Sequence, residues 1–306
     1  ANHILPADTV CRTGRGSCDQ VEYCTGVDPD CPLDVFLPSD FTCRPSVAAC
    51  DPEEWCSGES PYCPIDQGTC IRRRELTIHA DVVNGTSNLV DFPLMVRLEE
   101  NDWLRHKEFG GHIAQAAAYD ISFWDSSGLT RLDHEIEYYD GLSGHLLAWV
   151  RIPQLSWETD TTVTMSYGDT TILTDQSNPS GVWDTQYLAV YHMDSIPSGT
   201  TNEVLDSTAY QNHGTAGGAQ QQLPTRQWGG LAHSYQFPEA TCVSVPDSGN
   251  LSPDQAITVS AWVRLATDLS VAEGTLLRKG NEATTPYQLY LENEQLHFEL
   301  NDLSTT

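Results

Sequence analysis

Nine of the chain's ten cysteines lie in its first 70 residues, and eight of them recur in step. "CRTGRGSCDQVEYCTGVDPDCP" begins at Cys11, and "CRPSVAACDPEEWCSGESPYCP" begins 32 residues later, at Cys43. The offset holds for Cys11/Cys43, Cys18/Cys50, Cys24/Cys56 and Cys31/Cys63. It also holds for Arg12/Arg44, Asp19/Asp51, Glu22/Glu54, Gly26/Gly58 and Asp34/Asp66. Self-similarity at a fixed period marks tandem supersecondary units. The frame extends backwards, since Ile4–Arg12 (ILPADTVCR) match Phe36–Arg44 (FLPSDFTCR), so residues 1–10 have the sequence of the tail of an earlier copy. Thr69-Cys70 has the look of a third copy's start.

So many cysteines in so short a stretch exclude a reduced cytosolic domain. Zinc is the rival explanation, but zinc sites favour C-x2-4-C pairs, and the gaps here are six, five and six residues. Each unit has few large apolar residues (Val21, Tyr23, Val35 and Phe36 in the first). A unit this small needs covalent staples, each contributing about 2–4 kcal/mol. Four cysteines allow three pairings, and sequence does not choose among them.

The pattern C-R-x5-C-D-x-x-E-x-C-x-G-x4-C-P resembles the disintegrin-like module of snake-venom and cell-surface metalloproteases, over residues 1–70. The resemblance implies that the first and fourth cysteines of each copy pair, Cys11 with Cys31 and Cys43 with Cys63. Cys18 with Cys24 and Cys50 with Cys56 are then the simplest closure, leaving Cys70 and Cys242 over, with a bond between those two still open. Integrin-binding members carry an RGD tripeptide where this chain reads Gly16-Ser17-Cys18-Asp19, so the resemblance does not extend to integrin recognition.

Net charge is −28, from 43 acidic against 15 basic residues. That balance excludes nucleic acid as a partner, because phosphate binding needs clustered Lys and Arg, and it disfavours an anionic membrane surface. No run of 18 apolar residues offers a transmembrane helix. Acidity with oxidised cysteines fits an extracellular, cell-surface or periplasmic setting, where divalent cations relieve carboxylate repulsion.

Beyond Cys70 the chain alternates in the period of strands. Leu76, Ile78, Ala80 and Val82 fall on one side of "ELTIHADV", and Asn84-Gly85 forms a turn signal. Further strands are expected at "FPLMVRLE", "YDISFWDSSG", "RLDHEIEYYD", "GHLLAWVRIP" and "TTVTMSYGD", with one helical stretch around Asp102–Ala118, interrupted by Gly110-Gly111. From Val182 a second β unit begins with "WDTQYLAVYHM", followed by a polar loop. Strands are expected to resume at "HSYQF", "TCVSVP", "AITVSAWVRL", "GTLLRKG", "YQLYLE" and "QLHFEL". In "ITVSAWVRL", Val259, Ala261, Val263 and Leu265 share a face opposite Trp262. Short strands with turns between them argue a β-sandwich.

"FPLMVRL", "DISFWDSSG", "LDHEIEYYD" and "GHLLAWVRIPQLSWETDTTVTMSYGD" resemble an uncharacterised bacterial β domain. That domain commonly precedes a jelly roll in surface proteins, and some members are encoded with proton-channel motor proteins of the envelope. "GVWDTQYLAVYHMDS", "DSTAYQNHGT", "GGLAHSYQFPEATCVSVPDSGNLS" and "AITVSAWVRL" resemble a LamG-like jelly roll of the concanavalin A-like lectin/glucanase superfamily. The expected fold is mainly β: Cys-rich repeats over 1–70, a β-sandwich over 71–181, and over 182–306 a jelly roll whose closing strands are missing, so that the parent chain is expected to continue.

Three constellations bear on chemistry. Retaining glycosidases need two carboxylates roughly 5–5.5 Å apart, and "HEIEYYD" offers Glu135, Glu137 and Asp140, but ahead of the jelly roll. Asp133, Glu135 and Glu137 fit more simply the wet side of an edge strand, and Glu292 and Glu294 fit a hairpin tip. No zinc-protease motif follows His134, and His192 is a polar residue in an apolar run. The loop Asp206–Gly214 spaces oxygen donors as calcium requires. LamG-like domains often hold calcium near this loop, which implies Asp206 and Asn212 as ligands with Asp247 third. Asp19, Glu22, Asp28 and Asp30, with Asp51 and Glu54, form a second acidic set. Sugar recognition needs exposed aromatics for stacking; Tyr210, Trp228 and Trp262 are the candidates. The expected role is adhesion to glycan or to another envelope protein, assisted by calcium. The alternatives are a structural part of a proton-channel-linked envelope machine and a glycoside hydrolase.

Overall fold

The computed structural model describes residues 4–46, 52–64, 71–217, 222–238, 241–253, 255–264, 273–281, 284–292 and 295–301. The chain divides into two compact units, Ala1–Asp184 and Thr185–Thr306. It is mainly β, as the alternation implies.

The repeats open the first unit. Copy one pairs β1 (Val10–Arg12) with β2 (Glu22–Tyr23), and copy two pairs β3 (Thr42–Arg44) with β4 (Glu54–Trp55). The registers are the same: Val10 faces Tyr23 as Thr42 faces Trp55, and Arg12 faces Glu22 as Arg44 faces Glu54. Disulfides join Cys11 to Cys31 and Cys43 to Cys63, the first-to-fourth pairs. The remaining closure differs from the simplest one. Cys18 bonds Cys56 of the other copy, not Cys24, and Cys24 is a free thiol. The reason lies in the packing. Cys18 N donates to Pro61 O at 3.0 Å, so the loop before Cys18 lies on the second copy, while Cys24 N donates to Thr9 O within its own. Cys18, Cys56 and Cys63 form a small core of their own, buried against Leu37 and Cys43. Cys50 and Cys70 lie outside the described residues.

After the repeats come β5 (Arg72–Ile78), β6 (Leu89–Leu98), β7 (Ser122–Trp124), β8 (Arg131–Leu132), β9 (His134–Asp140), β10 (His145–Leu155) and β11 (Thr161–Tyr167). They make two antiparallel sheets, ordered β6-β10-β9 and β5-β11-β7-β8. The sheets share one core: Val96, Leu146, Ala148, Val150 and Ile152 from the first, and Phe123, Leu132, Val163, Met165 and Tyr167 from the second. Residues two apart line one face of a strand, which is why the β10 contributors alternate. β5 ends sooner than its alternation suggests. His79 and the Ala80 N–H both bond Asp160, and Ala80–Val82 curl into a 3-10 turn with Val82 exposed.

The helix expected over 102–118 is absent. Two 3-10 turns, Asp102–Leu104 and Lys107–Phe109, stand there instead. Gly110 has φ 84°, and a Cβ on Gly111 would collide with Arg105 O, so neither position continues a helix. This segment meets the repeats: Gly110 approaches Cys63, and Phe109 meets Tyr62 edge to face at 5.7 Å.

In the second unit, β12 (Thr215–Ala216) pairs β15 (Val243–Ser244), and β13 (Thr225–Trp228) pairs β14 (His233–Gln236). β16 (Glu273–Asn281), β17 (Thr284–Glu292) and β18 (Gln295–Leu300) form a three-stranded sheet. No strand forms over 185–193 or over 255–264, where two were expected. Val190 N is taken by the Asp206 carboxylate and not by a neighbouring strand. Val204, Ala216 and Tyr235 are the buried centre, with Tyr191, Met193 and Val243 against them.

His134 on β9 is fully buried against Phe123. Burial holds its pKa below the ordinary 6.5. The unfolded chain therefore binds this proton more readily than the folded one, and stability falls as pH drops through and below that ordinary value. Urea midpoints at pH 7.5 and 5.5 should show the loss, and His134→Gln should flatten it.

Candidate metal centre

Asp19, Glu22 and Asp34 each bring a carboxylate oxygen to within 4.8 Å of the others. Local backbone sets this up. Asp19 bridges Phe36 in antiparallel fashion, Gln20 N donates to Val35 O at 3.2 Å, and Leu37 N donates to Cys18 O at 2.8 Å. The segment carrying Asp34 is thereby laid along the one carrying Asp19. Glu22 comes in from β2, where Oε1 accepts from Val35 N at 2.9 Å.

Cations already touch this cluster. Arg12 Nη1 stands 3.4 Å from Glu22 Oε2 and 3.3 Å from Asp34 Oδ1, and Arg15 pairs with Asp34 and with Asp19 Oδ2. Asp19 Oδ2 also accepts from Arg15 N at 2.7 Å. Asp19 Oδ1 accepts nothing, although the side chain is only 1% exposed. A buried carboxylate oxygen without a donor is costly, and a hard cation satisfies such an oxygen. Of the acids expected to act together, Asp19 and Glu22 do. Asp28 and Asp30 are exposed elsewhere, Asp28 Oδ1 accepting from Asp30 N. Asp34 was not expected as a ligand; its recurrence as Asp66 is the signal that marks it. In copy two, Glu54 pairs with Arg44 at 3.1 Å. Asp51 and Asp66 lie outside the described residues.

The second expected site is differently arranged. Asp206 is buried, and its carboxylate accepts four hydrogen bonds: Val190 N (2.9 Å) and Thr208 N (3.0 Å) on Oδ1, Thr208 Oγ1 (2.8 Å) and Asn212 N (2.8 Å) on Oδ2. A carboxylate has about four lone-pair positions, so the chain's own donors fill it. Asn212 is brought beside Asp206, and its Nδ2 donates to Leu188 O at 2.8 Å. Asp247 does not join them; it is exposed and pairs with Lys279. Asp206 is thus a clamp that shapes the loop.

The family described as a domain of unknown function (DUF2341) matches residues 117–208. Neither the curated proteins nor the solved structures contain a match. The matched stretch takes in β7 to β11, the Trp183 segment and the Asp206 loop up to Thr208.

Within that stretch the expected catalytic acids are engaged. Glu135 is not on a wet face: it is 8% exposed and accepts from Trp183 Nε1 at 2.9 Å. β9 is an edge strand, but Trp183, after the short helix α1 (Pro179–Val182), covers it. Glu137 accepts from Trp149 Nε1 at 2.7 Å, and the two indoles stand 5.1 Å apart. Asp133 accepts from Asn178 Nδ2, and Asp140 caps the turn at Leu142 and Ser143. Glu294 lies outside the described residues.

The aromatic candidates separate as well. Trp228 is exposed and stacks on His233 across the β13–β14 hairpin at 4.7 Å. Trp262 is 82% exposed. Tyr210, partly exposed, donates its hydroxyl to Thr185 O at 3.0 Å. Cys242 is exposed, its sulfur 3.7 Å from Ser244 Oγ.

Removing the clamp tests its structural role. Asp206→Ala strips four bonds to a buried acceptor and should destabilise the protein by about 2–4 kcal/mol in urea unfolding.

Proposed function

We propose that this chain is an extracellular or cell-surface binding protein whose Cys-rich repeats hold calcium and whose C-terminal unit engages glycan. The observation that carries the reading is the Asp19 carboxylate: one oxygen, Oδ1, is buried without a donor, and the group stands together with two further carboxylates inside a disulfide-bonded unit. Disulfides belong to oxidising compartments, where calcium is abundant enough for modest sites. Among the described residues, no helix is long and apolar enough to cross a membrane. The disintegrin-like repeat pattern and the LamG-like wording of the C-terminal unit support the same role. So does the exposed Trp228–His233 stack, a flat platform of the kind a pyranose face covers. Glycosidase chemistry is the weaker reading, because Glu135 and Glu137 each already accept an indole N–H. An envelope protein as partner remains the alternative on the binding side.

Calcium should raise the thermal midpoint and a chelator should lower it. Ligand at 100 times its Kd adds about 2.7 kcal/mol. Asp19→Asn should abolish the calcium dependence and leave the chelated midpoint within a few degrees of the parent. An unchanged midpoint with calcium overturns the metal reading. For the partner, a glycan array should give discrete hits that Trp228→Ala reduces at least tenfold. A blank array with co-purifying membrane channel subunits would favour the envelope-machine role instead.

A further inference from the structure

The two copies repeat their bonds as well as their letters. Cys24 N donates to Thr9 O at 2.8 Å, as Cys56 N donates to Phe41 O at 2.9 Å. Arg12 donates to Pro32 O as Arg44 does to Pro64 O. Gly26 and Gly58 share φ 76°. Cys24 and Cys56 therefore occupy one backbone setting, and they differ in what meets them. Cys56 is 2% exposed and bonded to Cys18 of the preceding copy, 38 residues earlier: one period plus six. The fit is close. Cys18 N reaches Pro61 O, and a Cβ on Gly16 would collide with that same oxygen and with Tyr62. In copy one the matching surface is open: Pro29 and Asp30, the counterparts of Pro61 and Tyr62, are exposed, Val27 is 80% exposed, and Cys24 keeps its thiol.

We infer that Cys24, Val27, Pro29 and Asp30 form the receiving face for a further copy of this repeat, which bonds Cys24 through its own second cysteine. The rule is that the second cysteine of one copy bonds the third of the next. The occupant is a preceding copy on the same polypeptide, because Ile4–Arg12 match Phe36–Arg44 and so carry the sequence that leads out of a repeat. Its contact segment reads Gly-x-Cys-Asp, as at Gly16–Asp19. A second molecule offering Cys50 does not meet that requirement, since Ala48 stands where the approach needs glycine. In the bonding step two thiols lose two electrons and two protons to the disulfide of a thiol oxidoreductase, whose sulfurs become a dithiol.

The test is peptide mapping without reduction, on the protein isolated from the cells that make it, with free thiols alkylated first. The Cys24 peptide should be disulfide-linked to a peptide of another repeat reading Gly-x-Cys-Asp. Cys24 found alkylated, or linked to Cys50, Cys70, Cys242 or any other thiol, overturns the proposal. Cys24→Ser in that same protein should leave Cys18–Cys56 in place and expose exactly one new alkylated cysteine upstream of the first copy; no new alkylated cysteine there overturns it as well.

Discussion

One disulfide, Cys18–Cys56, decides how the N-terminal seventy residues can be arranged. The bonds from first to fourth cysteine each close a loop within a copy, at a sequence separation of 20. They staple a unit without placing it. The inter-copy bond spans 38 residues and, in the chain-entropy account, contributes about 4 kcal/mol by restricting the unfolded chain. It also fixes neighbours that share only a small apolar core, Cys18, Cys56 and Cys63 with Leu37 and Cys43. With Cys18 held, Asp19 is held beside Phe36, and the three carboxylates of the candidate metal centre converge. The same sulfurs exclude zinc in this state, because Cys18, Cys43 and Cys56, though close together, are spent in disulfides.

The sandwich solves the same problem by different means. Its two sheets meet through apolar side chains, and one buried carboxylate among them is well supplied with donors. Asp120, 1% exposed, accepts from Ala114 N and Gly168 N on one oxygen and from Gln115 N on the other. That carboxylate ties the loop after the 3-10 turns to the end of β11, where a bare apolar contact would leave three backbone donors unpaired. The repeats meet this loop region through Tyr62, Cys63, Phe109 and Gly110. A covalently built module and an apolar one are therefore parts of a single compact unit.

What could be read from the letters was what depends on near neighbours. The strand expected at "GHLLAWVRIP" stands as β10, and the tandem units expected from the 32-residue period stand as two hairpins in identical register. What could not be read depends on who stands opposite. The stretch from Asp102 has helical spacing, but Gly111 must lie against Arg105 O. Glu135 has the alternation of a solvated face, yet Trp183, 48 positions on, folds back over it. Asp206 has the setting of a calcium ligand, but its acceptor sites are filled by the Thr208 hydroxyl and by three backbone N–H groups, which every sequence possesses and none displays. Asp34 was visible as a repeated letter, and only its convergence with Asp19 and Glu22 gave the repetition a chemical meaning.

The two copies differ in a way that bears on how such arrays gain stability. Arg12 and Glu22 form an ion pair with the arginine about one-third exposed, whereas in Arg44 and Glu54 both side chains are 7% exposed. The letters and the register are the same, so the difference comes from neighbours. Copy two has copy one on one side, through Gly16 and Cys18, and the sandwich on the other, through Phe109 and Gly110. Repeat arrays draw their stability from each unit and from each nearest-neighbour contact. A desolvated ion pair needs its partners held in place, because stranding one charge costs several kcal/mol. Here the strand pairing and the Cys43–Cys63 bond hold the pair within copy two, the inter-copy disulfide holds copy two against copy one, and the pair with neighbours on both sides is the more buried of the two.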